Sequence, residues 1–344
     1  MARVSDGHGL GMKKWLGFAL KVGVSIGILV LIAARTDLSR IGTLLASVEG
    51  STLVAALLLA LAQTVLTAYR WVLVMEGVGV SVGFWPALQA ILVSLLLNQC
   101  LPSFVGADAY RMYWLYRESN QLGPAVRGVL IDRMLGMIAL IVMFAAGIAL
   151  LFQRLGDPAV KSGLLMLLLC SLGGAIAFFT GDLLPKGWQR LRVLRELANV
   201  SAPARALMLT ARSGIIIGVM CILVHVLTAV VMFMFARNLG LRLTLLDCLL
   251  FVPPIMLLAA VPISIAGWGV REGVMVGALS MIGIGTEPAL ALSVLLGFTM
   301  LANGVIGVLP LMFGGQRYWA GRVRRASYPS LLTSYQQSEV RSEK

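Results

Sequence analysis

Two short stretches of an otherwise apolar chain combine helix breakers with charge: NQCLPSFVGADAYR at residues 98–111 and PISIAGWGVRE at 262–272. Pro102 and Gly106 in the first, and Pro262, Gly267 and Gly269 in the second, interrupt helical structure. A half-helix is expected to restart at about Ala109, with Asp108 as N-cap, and at Val270, with Gly269 as N-cap. The open N–H groups and the positive dipole end of each half-helix form an anion site. Arg111 and Arg271 fall within the first turn or so and add guanidiniums suited to phosphate. Asn98, Ser103, Ser264, Asp108 and Glu272 complete the candidate headgroup contacts. The competing role is structural: Arg111 paired with Asp108, and Arg271 with Glu272 or a backbone carbonyl, would simply hold two loops closed.

The elements that must carry these stretches are membrane helices. Of the 344 residues, 59% are hydrophobic and only 12% charged, and the mean hydropathy is +0.92, which no soluble surface tolerates. Crossing a bilayer takes about 20 apolar residues. Such runs occur at Trp15 to Ala34, Thr52 to Met75, Val129 to Phe152, Ser162 to Thr180, Gly214 to Ala236 and Pro288 to Phe313. The first exceeds the h-region of a cleaved signal and is read as a retained helix. Two shorter segments, Pro86 to Leu101 and Cys248 to Pro262, each end in one of the breaks. The fold class expected is therefore an all-α polytopic membrane protein with six full spans and two re-entrant hairpins, at about 86–118 and 248–284.

Charge gives the orientation. Lys+Arg number 28 against 15 Asp+Glu, and the cations gather before the first span, in the 181–213 loop and after the last span. The positive-inside rule puts all three groups, and both termini, in the cytoplasm. A full crossing at 86–101 would reverse this pattern, whereas a hairpin preserves it. The second hairpin then enters from the opposite face. Pro102 and Pro262, like Arg111 and Arg271, are 160 residues apart. The chain thus reads as inverted halves, about 15–152 and 162–313, between a cytoplasmic N-terminus (1–14) and a basic tail (314–344). Inverted repeats with broken helices are a transporter architecture.

Other polar residues support these elements. Asp132 and Arg133 open the span at 129 and are expected to join a charge network with Arg111 or Arg117. Gln63, His225 and Asn303 lie mid-span, where they hydrogen-bond between helices. Tyr69, Arg70 and Trp71, with Tyr318 and Trp319, read as interfacial anchors. Segment 186–212 suits a helix lying on anionic inner-leaflet lipid. Cys100, Cys170, Cys221 and Cys248 read as small buried hydrophobes. No metal-ligand spacing, cofactor motif, nucleotide-binding P-loop or nucleic-acid-binding feature is present.

The run N-x-x-L-P-S-x-x-G-x-D-x-x-R at 98–111, Asp132-Arg133, and P-x-S-x-x-G-x-G-x-R-E at 262–272 together resemble the transmembrane, flippase-like region of lysylphosphatidylglycerol synthases. The resemblance implies a stand-alone member without the soluble aminoacyl-transferase domain. It carries over Pro102, Gly106, Asp108, Arg111, Asp132, Arg133, Pro262, Gly267, Gly269, Arg271 and Glu272. It further implies movement, without synthesis, of an aminoacyl-phospholipid or a polyprenyl-phosphate-linked lipid across a bacterial or archaeal cytoplasmic membrane. A separate lipid-modifying enzyme is a possible partner. The alternatives are a membrane enzyme or accessory subunit acting on such a lipid, or a transporter of small solutes.

Overall fold

The computed structural model describes residues 37–100, 105–185, 187, 190–261, 269–313 and 323–325. Over these residues the chain is an all-α membrane protein with one short β contact. Five helices are long and apolar enough to cross a bilayer, within Gly50–Gly77, Leu122–Arg154, Pro158–Leu183, Arg212–Asn238 and Thr286–Pro310. They match five of the six expected spans. The sixth, Trp15 to Ala34, lies outside the described residues, as do Tyr318 and Trp319.

In chain order the elements are α1 (Leu38–Ala46), α2 (Gly50–Gly77), β1 (Val80–Val82), α3 (Phe84–Cys100), α4 (Val105–Ser119), α5 (Leu122–Arg154), α6 (Pro158–Thr180), α7 (Arg192–Leu209), α8 (Ala211–Asn238), α9 (Leu245–Ala259), α10 (Val270–Ser280), α11 (Thr286–Ile306), α12 (Val308–Phe313) and β2 (Val323–Arg325). Local chemistry sets the starts. Asp37 caps α1 through Ser39 and Arg40, and hydrogen bonds led by the Ser39 hydroxyl hold its carboxyl below the usual carboxylate range. Asp157 caps α6 ahead of Pro158, where a missing N–H costs nothing. Thr244 and Asp247 form a reciprocal capping box on α9.

The short helices fall where the breaks are. At 1.5 Å per residue, α3 and α4, of 17 and 15 residues, are about 25 and 22 Å long, and α9 and α10, of 15 and 11 residues, about 22 and 16 Å. None matches the roughly 30 Å hydrocarbon core. The expected N-cap at Gly269 is found, with φ +85°, a conformation that favours glycine. The expectation for the first break is corrected. Helix α4 already begins at Val105, so Gly106 and Asp108 lie inside its first turn. An aspartate there still meets the positive end of the helix dipole, and this helix does not need Asp108 as its cap.

Packing partners come in exchanged pairs. Helix α2 lies against α8; α5 lies against α9 as α11 lies against α3; and α5 touches α8 as α11 touches α2. Backbones meet closely between α3 and the end of α11. A Cβ on Gly304 would stand 3.2 Å from the Leu95 carbonyl oxygen, and one on Gly307 would collide with the Leu92 carbonyl. Small residues allow such approach in membrane helices. At one end of the bundle Asn238 accepts a bond from the Glu49 N–H and Arg154 pairs with Asp247 at 3.3 Å. Elsewhere Val80, Ser81 and Val82 pair antiparallel with Arg325, Arg324 and Val323, and α4 packs beside β2.

Helix α7 has a buried face of Val200, Ala204 and Leu207. Arg205, expected among its lipid-facing cations, instead donates to Asp182 and to the Phe179 carbonyl. Cys221 and Cys248 are buried as expected, whereas Cys170 is exposed because α6 runs along the periphery, with only Leu168 and Phe178 buried.

Candidate functional site

A cavity of about 420 Å³ opens among α2, α3, α4, α5, α8 and α11. Its polar wall begins with a stripe on α2: Gln63, Thr67 and Arg70 stand at i, i+4 and i+7, one helix face, with Thr64 beside them. Helix α3 adds Ser94, Asn98 and Gln99; α4 adds Asp108 and Arg111; α5 adds Asp132 and Arg133; His225 and Asn303 come from α8 and α11.

Five of these side chains form one alternating chain. Arg70 Nε donates to Asp132 Oδ1 at 2.8 Å, and Arg111 Nη1 donates to Asp132 Oδ2 at 2.9 Å. Arg111 Nη2 then reaches Asp108 Oδ1 at 2.9 Å, and Arg133 closes the row on the other Asp108 oxygen. A carboxylate has the acceptor capacity for two guanidiniums, so Asp132, only 2% exposed, can serve both. Arg111 also lies 5.3 Å over the Trp71 ring, and Trp71 leans on Trp114, with centroids 5.9 Å apart. The row sets three guanidiniums and two carboxylates on one wall of the cavity. In a low-dielectric wall a guanidinium attracts an anion far more strongly than it would in water.

Arg70 and Trp71 correct the expected interfacial anchoring. Both are buried, at 6% and 0% exposed, while Tyr69 remains on the surface. Helix α2 runs seven residues past Arg70, to Gly77, so Arg70 is held by a carboxylate on a neighbouring helix rather than reaching for an interface. The polar stripe at helical spacing was the sequence signal that could have revealed it.

The charges at the start of α10 pair locally. Arg271 donates through Nε and Nη2 to Glu272 Oε1, at 3.1 and 2.6 Å. Ser293 donates to the same oxygen at 3.2 Å, and Glu272 Oε2 accepts the Gly269 N–H at 2.6 Å. Arg271 and Glu272 are both buried and sum to zero charge. Neither lines the cavity; Arg271 Nη1 rests 3.7 Å from the sulfur of Met300, which does. Asp108, Arg111, Asp132 and Arg133 are thus brought together with Asn98, whereas Arg271 and Glu272 stand apart. The pairings Arg111–Asp108 and Arg271–Glu272, the structural alternative, are both present. Pro102, Ser103, Pro262, Ser264 and Gly267 lie outside the described residues.

Two of the three mid-span polar residues bridge helices. His225 Nε2 is 2.9 Å from the Gly136 carbonyl, and Asn303 Nδ2 donates to the Ala60 carbonyl and the Thr64 hydroxyl at 3.0 and 2.7 Å. Gln63 faces the cavity. Among the described residues no three His, Cys, Asp or Glu side chains gather as metal ligands would.

Helix lengths and hydropathy, with a buried arginine–aspartate chain around a cavity, define a multi-pass membrane protein with a buried polar site. The family model of the lysylphosphatidylglycerol synthase TM region matches residues 18–307, and the chain belongs to that family, which ties it to membrane lipids. No curated protein and no solved structure matches the chain.

Proposed function

We propose that the protein moves a phosphate-bearing lipid between the leaflets of a bacterial or archaeal cytoplasmic membrane, without converting it chemically. The carrying observation is the Arg70–Asp132–Arg111–Asp108–Arg133 chain, which places three guanidiniums on one cavity wall. A headgroup phosphate enters against Arg111 while the acyl chains stay in lipid. Asp108 and Asp132 each already accept two guanidiniums, so neither serves as a base, which weighs against an enzyme.

The topology proposed is six spans and two re-entrant hairpins in inverted halves, the region 15–313, with both termini and the 314–344 tail cytoplasmic. The exchanged packing pairs support the inverted halves. The Arg154–Asp247 and Glu49–Asn238 contacts join loops that charge assigns to one side. Met281, just past α10, shares an apolar cavity with Leu155 and Val160, which supports reading the α9–α10 pair as a hairpin. Pairing of β1, just before α3, with β2, beside α4, supports the same for the first hairpin. An aminoacyl-phospholipid or a polyprenyl-phosphate-linked lipid fits the phosphate site, a separate lipid-modifying enzyme is a suitable partner, and α7 lies on anionic inner-leaflet lipid.

Reconstituted with fluorescent phosphatidylglycerol, Arg111→Gln is expected to slow leaflet exchange by roughly tenfold or more, the scale of a lost charged hydrogen bond. Unchanged exchange in the folded variant rejects the site. A change in lipid mass caused by the purified protein alone would turn the reading to an enzyme.

A further inference from the structure

One donor of the buried arginine row is left over. Arg70 is only 6% exposed and lines the cavity. Its Nε is taken by Asp132 at 2.8 Å, and its Nη1 reaches the Cys221 sulfur at 3.4 Å, a weak acceptor. Its Nη2 has no hydrogen-bond partner. Polar groups in an interior are normally paired, and one left over needs a reason.

That nitrogen is not sealed in. Among the described residues the unpaired side-chain atoms shut off from solvent include Trp71 Nε1 and Asn303 Oδ1, and Arg70 Nη2 is not one of them. Gly136, on the same cavity wall, leaves space beside the guanidinium. Beyond its own helix backbone, a Cβ on Gly136 would meet nothing within 4 Å except Arg70 Nη1, at 3.8 Å.

Asp132 sets this open end next to a second guanidinium. Arg70 holds one of its oxygens and Arg111 the other, so the two arginines stand on either side of a single carboxylate. Both Nη nitrogens of Arg111 are already on carboxylates, and Trp71 lies against its face. Arg70 keeps a whole Nη uncommitted. A guanidinium end with its N–H groups free suits a phosphate oxygen.

We infer that Arg70 is a second phosphate-binding residue, meeting the headgroup phosphate through Nη2 in the space beside Gly136 while Asp132 holds it next to Arg111. This rests on the lipid reading above and deepens it: the phosphate bridges α2 and α4 instead of resting on α4 alone.

The test is binding of phosphatidylglycerol to the full chain in detergent, measured by native mass spectrometry, with diacylglycerol as the phosphate-free control and inorganic phosphate as competitor. Arg70→Lys keeps the charge and a bond to Asp132 but loses the fork, and should weaken binding about tenfold, the scale of one hydrogen bond to a charged group. Gly136→Val leaves every partner of the arginine row in place and fills the space beside Arg70. It should cause a similar loss, which a purely structural role of Arg70 would not produce. Its Cβ makes only ordinary contact, so this variant carries the test if Arg70→Lys does not fold. Unchanged affinity in Gly136→Val, or in folded Arg70→Lys, overturns the Arg70 contact; the lipid reading then stands if Arg111→Gln still weakens binding. Displacement of the lipid by inorganic phosphate at equal concentration makes free phosphate the ligand, which overturns the lipid reading and leaves Arg70 in place. If the unaltered protein binds phosphatidylglycerol no better than diacylglycerol, both fall.

Discussion

Arg111 lies in the second turn of α4, on the wall of a cavity, where it shares Asp132 with Arg70 and Asp108 with Arg133. Arg271 is the second residue of α10, enclosed by Glu272 and Ser293 and separated from that cavity by Met300. The two arginines are 160 residues apart in matching motifs. One belongs to a network that joins three helices, and the other to a pair that also caps its own helix. The same motif can therefore join a network on a cavity wall or pair locally, and the helix faces packed against it decide which.

The largest effect that tests this comparison is on stability. Asp132→Asn leaves Arg70 and Arg111 short of their common partner, and Glu272→Gln removes the carboxylate that Arg271 meets. Removing one side of a buried pair costs about 3–5 kcal/mol. Asp132→Asn is expected near the upper end and Glu272→Gln near the lower, as read by denaturant unfolding in detergent. A larger loss for Glu272→Gln would place the critical electrostatics at the second break.

A sharper and smaller contrast is functional. Against the tenfold loss expected for Arg111→Gln, Arg271→Gln should slow exchange of fluorescent phosphatidylglycerol by less than about threefold, under 1 kcal/mol. Equal losses would mean that Met300 moves aside during transport and that Arg271 meets the phosphate at another stage.

The last effect concerns the framework that sets the cavity's width. Gly307→Ala drives a methyl group against the Leu92 carbonyl, which only a backbone shift relieves, at a cost of about 1–3 kcal/mol. Gly304→Ala, with more room beside Leu95, should cost less in the same unfolding measurement. The reverse order would show that α11 meets α3 elsewhere.

Much of this was legible because it is local. Hydropathy over about 20 residues found five helices, and proline and glycine located both short pairs. Gly269 was recognisable as a cap because a glycine followed three residues later by a glutamate suits a helix start. His225 and Asn303 were recognisable as bridging groups because a polar side chain inside an apolar span has few other partners. Asp108 was misplaced because an aspartate is favourable both at the cap and inside the first turn, and composition does not separate the two. Arg70 was misread because Tyr69 and Trp71 on either side look like an interface, although adjacent residues on a helix face different directions.

The amino-acid sequence by itself determined the membrane class, the approximate places of the helices and the placement of an arginine after each proline–glycine stretch, since these follow from hydropathy and backbone preference over a few turns. Only the tertiary structure decided which arginine faces a cavity. Asp132 meets an arginine 62 residues earlier on another helix, and Arg271 meets the residue beside it. Ion pairing in a low-dielectric interior depends on which helix faces come within a few ångströms, and no local pattern encodes that distance.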